Sequence, residues 1–90
     1  MKLFWTPEAR QDRLDIYEYI ERDKPKAALA MDEGIAAAGS SLVERPLCGR
    51  HGRVAGTREW IVHPNYILVY RVRADAIEIL RVLHAAKRWP

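Results

Sequence analysis

Ninety residues, nearly half of them apolar, allow one domain with one core, because a split would leave neither half enough buried surface to offset its ordering entropy. The formal charge of +3 hides an asymmetry: residues 1–44 carry six Lys or Arg against nine Asp or Glu, while residues 45–90 carry nine against three, so the halves stand at −3 and +6. A single cysteine, Cys48, excludes an intrachain disulfide and a cysteine-based zinc cage, and no apolar run reaches the roughly 18 residues of a membrane span.

In chain order, the apolar run Lys2 to Trp5 stops at Thr6-Pro7. Threonine at an N-cap followed by proline at the first helical position predicts a strand at 2–5 and a helix over 7–23. On that helix Ala9, Leu14, Ile16, Tyr17 and Ile20 form an apolar side, and Asp12, Asp15, Glu18 and Glu21 are expected in water. Lys24-Pro25 breaks it, since the residue before proline is pushed out of the helical region. A second, alanine-rich helix over 25–43 follows, with Ala28, Met31, Ile35, Ala38 and Leu42 at spacings of three and four, so the two form an antiparallel hairpin.

The stretch ERPLCGRHGRVAG, residues 44–56, reads as a loop with at most a short extended piece, and Cys48 in it as a semi-buried filler. Three β-rich runs then form an antiparallel meander at 57–63, 66–73 and 76 to 83 or 84, turning at Pro64-Asn65 and Ala74-Asp75. The fold class is therefore α+β: a strand, a helix hairpin and a three-stranded meander. Two-residue turns would place Arg58, Trp60, Val62, Ile67, Val69 and Arg71 on one face of the meander and Glu59, Ile61, Leu68, Tyr70, Arg81 and Leu83 on the other. In that register Arg71 lies opposite Glu78, and Glu59 is the same-face partner for Arg81, whose charge in EILRVL must reach water or a carboxylate.

The cationic half implies an anionic partner, either nucleic acid or an acidic protein segment. Arg50, Arg53 and Arg58 flank a glycine-bearing loop that either cradles phosphate or ends in solvent. Lys87, Arg88 and Trp89 form a basic, aromatic tail, and tryptophan so near the end packs on this domain or on a partner. Trp60 is read as core packing ahead of a stacking platform for a base, and His84 as a hydrogen-bonded strand-end residue ahead of a general acid or base. His51 and His63 read as loop and turn residues, and three scattered histidines predict neither a metal nor a cofactor. MKLFWTPEAR lacks a signal peptide's long apolar stretch, so the expected address is the cytoplasm, with no membrane contact.

This arrangement resembles the RelE/ParE superfamily of bacterial type II toxin-antitoxin toxins. KLFWTPEA is similar to the family's opening strand and helix cap, and GTREWIVHPNYILVYRV with AIEILRVLHAAKRWP is similar to its sheet, with YILVYRV and ILRVLH the most specific pieces. The resemblance implies a toxin of the plasmid-stabilisation type, neutralised by a cognate antitoxin. RelE-like members cut mRNA on the ribosome, whereas ParE-like members poison DNA gyrase. Cleavage by 2′-hydroxyl attack needs a base, a cation at the phosphate and an acid for the leaving oxygen. Nuclease members usually carry arginine where this chain has Ile67, and a histidine and a tyrosine where it has Ala85 and Ala86. The resemblance therefore implies a ParE-like gyrase inhibitor, with Arg50, Arg53, Arg58, Lys87, Arg88 and Trp89 as target-binding residues. Under the alternative, a ribosome-dependent mRNA endonuclease, Arg58, Arg71, Arg81, His84 and Lys87 would share phosphate binding and proton transfer.

Overall fold

The computed structural model describes residues 1–87 and 89–90. Its elements are β1 (Lys2–Trp5), α1 (Pro7–Glu21), α2 (Pro25–Glu44), β2 (Arg50–His51), β3 (Arg58–His63), β4 (Tyr66–Arg73) and β5 (Ala76–His84). The strands form one five-stranded sheet in the order β1-β5-β4-β3-β2, with β1 parallel to β5 and the other pairings antiparallel. The α+β class and the element order match expectation. One strand is added, because Arg50 and His51 in the expected loop pair with Glu59 and Arg58.

Thr6 starts α1 as expected. Its hydroxyl oxygen accepts the Ala9 N–H at 3.1 Å, and Pro7 occupies the first helical position. The helices then fold back on one another, and Arg13 grips Asp32 with two bonds of 3.0 and 2.9 Å while its guanidinium lies 4.6 Å from the centre of the Trp5 ring. Gly39 lets α2 approach that ring, since a β-carbon there would fall 2.6 Å from it. The core lies between hairpin and sheet, where Ala9, Ile35 and Leu42 meet Leu68, Tyr70, Ile77, Ile79 and Val82.

The predicted division of the sheet into two faces is incorrect. β3 slips against β4 between Ile61 and His63, so Trp60 lies opposite Leu68 and joins the core side along with Val62. β5 slips against β4 between Val69 and Tyr70, so Val82 lies opposite Leu68 and also turns inward. Each slip inserts one residue, and with a side-chain period of two one residue is enough to exchange faces. Leu83 instead joins Ile67 and Val69 in a smaller cluster on the outer face, covered by Leu80 and Trp89. Between the turn and the slip the expected register holds, and Arg71 sits opposite Glu78 with a 2.6 Å ion pair.

Candidate target-binding surface

The basic loop before β3 is held from beneath. Tyr70, fully buried, donates its phenolic O–H to the Pro46 carbonyl at 2.8 Å and accepts the Gly49 N–H at 3.0 Å. Arg58 donates to the Gly49 and Leu47 carbonyls at 2.7 and 3.2 Å, on the same side of the sheet as its partner Tyr70. Gly49 is required at this approach, because a β-carbon would meet the phenol oxygen at 2.6 Å and the Glu59 carbonyl at 2.8 Å. With the Gly49 backbone in the buried place, Cys48 is turned outward and exposed, contrary to the filler reading.

Arg50 pairs with Glu59 at 3.0 Å on the outer face, and Arg53 is exposed in the turn beyond β2. Glu59 is thus taken, and the expected Glu59–Arg81 pair does not form. Arg81 instead reaches α1, where Asp12 accepts from its Nε at 2.7 Å and its Nη2 at 2.9 Å. That ion pair is the largest of the influences raising Arg81's pKa above its usual value, partly opposed by desolvation. Asp12 was expected in water and Leu14 in the core. The carboxylate is only 12% exposed and Leu14 is exposed, because Ala9, Asp12 and Ile16 form the inward stripe.

The other end of the sheet carries the histidine and the tail. His84 lies opposite Tyr66, exposed, with ring centres 5.6 Å apart, and its Nδ1 accepts the Ala86 N–H at 3.2 Å. Lys87 is exposed beside it, at an open cleft that Tyr66, His84 and Asp15 also line. Trp89 folds back on the outer cluster, and Trp60 packs on the core. Arg88 lies outside the described residues. His51 belongs to β2 and not to a loop, while His63 marks the end of β3, its Nδ1 accepting the Asn65 N–H at 3.1 Å. Among the described residues no group of three His, Cys, Asp or Glu is arranged to hold a metal ion, and no helix is long and apolar enough to cross a membrane.

The candidate cations therefore fall in separate places. Arg58 pairs with Tyr70 and His84 with Tyr66, four residues apart on β4. At the usual strand rise that is roughly 13 Å along the sheet. Arg71 points to the face opposite Arg58 and is engaged by Glu78. The outer face carries the exposed Phe4 and Ile61 and the half-buried Trp89 together with the Arg50–Glu59 and Arg71–Glu78 ion pairs.

Residues 3–89 match the model of a family described as the ParE toxin of the type II toxin-antitoxin system parDE. The chain belongs to this ParE toxin family. It is 40% identical over 90 residues to Y4kP of Sinorhizobium fredii, covering 99% of this chain and 93% of that protein. It is 36% identical over 86 residues to Toxin RelE2 of Caulobacter vibrioides, covering 96% and 97%. Among solved structures, a chain of the chromosomal ParDE toxin-antitoxin system of P. aeruginosa superposes with a TM-score of 0.84 at 28% identity, over 93% of this chain and 95% of that one. The protein is thus a toxin of the type II toxin-antitoxin class within the RelE/ParE superfamily.

Two functional supports were missed from sequence. Tyr70 had a signal, since a tyrosine inside an aliphatic strand needs a partner for its hydroxyl. Asp12 had none, because an acidic residue on an amphipathic helix is ordinarily solvated.

Proposed function

We propose that this ParE-family toxin arrests growth by binding DNA gyrase, without chemistry of its own, and is silenced by a cognate antitoxin. The observation that carries this reading is Ile67, only 7% exposed and packed with Val69 and Leu83, at the strand position where nuclease members of the superfamily carry a phosphate-neutralising arginine. Arg58, Arg71 and Arg81 are also committed to internal partners, which suits a binding scaffold better than a cleaving one. Target contact falls to Arg53, Lys87, Arg88 and Trp89 and to Arg50, which stays 62% exposed despite its pair with Glu59, with Arg58 holding the loop.

The antitoxin reading rests on the groove of about 410 Å³ between α2 and β3, lined by Ala27, Ala30, Met31, Gly34, Ile35 and Val62. Small residues on the helix let a second helix come close, so an amphipathic antitoxin helix fits it. Adding the purified chain to gyrase and relaxed plasmid tests the target: loss of supercoiling is expected, and undiminished supercoiling at growth-arresting concentrations contradicts gyrase as the target.

A second reading, ribosome-dependent mRNA cleavage, draws on the exposed His84 beside Tyr66 and Lys87. It requires A-site fragments that disappear in His84→Ala.

A further inference from the structure

β5 carries one residue more than β4 at its slip: Tyr70 faces Ile79 and Val69 faces Arg81, leaving Leu80 over. Such an insertion frees backbone groups from the ladder, and buried groups of that kind need other partners. Here the partners come from α1 and its cap. The Thr6 N–H donates to the Ile79 carbonyl at 3.0 Å and so ends the regular β1–β5 ladder, while the Thr6 hydroxyl donates to the Leu80 carbonyl, at the extra residue, at 2.8 Å. Asp12 accepts the Val82 N–H at 2.9 Å on the same oxygen that takes Arg81 Nε at 2.7 Å. A carboxylate 12% exposed is costly to leave unpaired, so these three bonds hold it and the strand together.

The slip sets the facing of every residue after it in β5. In the observed register Val82 points to the helices and Leu83 to the outer face, where Trp89 lies. A register without the extra residue would turn Leu83 inward and remove part of the seat beneath Trp89. We propose that Asp12 is a positioning residue: it fixes the slip in β5, and thereby the face on which Trp89 is presented, and so governs target binding without touching the target. The last step rests on the gyrase reading and on Trp89 as a target contact.

Three measurements on Asp12→Ala and Asp12→Asn test it: amide exchange at Val82, proton contacts from the Trp89 ring to Val69 and Leu83, and inhibition of gyrase supercoiling. Loss of a bond to a charged group should speed Val82 exchange about tenfold to a hundredfold in D12A, provided that exchange proceeds by local opening. The Trp89 contacts should disappear, and inhibition should fall about tenfold or more. D12N keeps an oxygen for the Val82 N–H and should restore the contacts and most of the inhibition, which a general loss of stability would not do. Unchanged Val82 exchange with unchanged Trp89 contacts in D12A overturns the proposal, as does equal loss of inhibition in both variants with the contacts intact. If the wild-type chain leaves supercoiling untouched, the gyrase reading fails while exchange and ring contacts still decide the positioning. Should D12A not fold, Asp12→Glu, which keeps the charge but displaces the carboxylate by one methylene, is read in the same way.

Discussion

The phenol of Tyr70, fully buried in the core, accepts the N–H of Gly49 in the basic loop and donates to the Pro46 carbonyl beside it. It joins the hydrophobic interior to the segment that presents Arg50 and Arg53. Tyr70→Phe keeps the ring but strands the buried Gly49 N–H and removes the donor to Pro46, at a cost of about 2 kcal/mol. Chemical denaturation should show this loss, together with faster amide exchange across residues 46–52. A variant as stable as the wild type would mean that the loop is held by other contacts.

Burial pushes the Tyr70 hydroxyl above its ordinary value of 10, partly opposed by the Gly49 N–H. The folded chain then keeps a proton that the unfolded chain releases. The resulting stability is intact below pH 10 or so and declines as pH rises through the unfolded tyrosine range toward the folded value. Denaturation midpoints followed from about pH 9 upward should fall more steeply in the wild type than in Tyr70→Phe. Parallel curves would contradict this.

Gly34 lines the groove between α2 and β3, and a β-carbon added there meets nothing within 4 Å. Gly34→Leu should therefore raise stability by about 0.5–1 kcal/mol through helix propensity. The same side chain would occupy the groove and weaken antitoxin binding by about tenfold, the equivalent of about 1.4 kcal/mol. Thermal unfolding and calorimetric titration with the antitoxin read the two opposite effects. Unchanged affinity would place the antitoxin helix elsewhere on the toxin.

Ala74 adopts φ of 48° in the turn between β4 and β5, a left-handed conformation that an alanine side chain disfavours. Ala74→Gly should relieve this and stabilise the fold by about 0.5–1 kcal/mol. A higher melting temperature is expected, and a lower one would show that the added chain entropy outweighs the relieved strain.

Helix starts were legible because their signals are local: Thr6-Pro7 and Lys24-Pro25 act through caps and sterics within a turn. The meander's turns and the Arg71–Glu78 pair were legible for the same reason, lying within a few residues of Ala74-Asp75. The faces were not, and at the slip near Leu80 the reason is that the strand is held by groups far along the chain. Thr6 bonds Leu80 and Asp12 bonds Arg81, contacts 74 and 69 residues apart in sequence. Period-two counting has no access to such partners, and so it misplaces Leu83 on the sheet and Asp12 in water. The candidate site shares that fate, with its cations readable as types while their commitments to Gly49, Glu59 and Asp12 are not.

The most direct measurement is messenger integrity on programmed ribosomes incubated with the purified wild-type toxin at growth-arresting concentrations. Intact messages are expected, as a scaffold whose Ile67 packs with Val69 and Leu83 carries no arginine at that position to neutralise the phosphate. Cut fragments at the A site that vanish in His84→Ala would contradict action by binding alone.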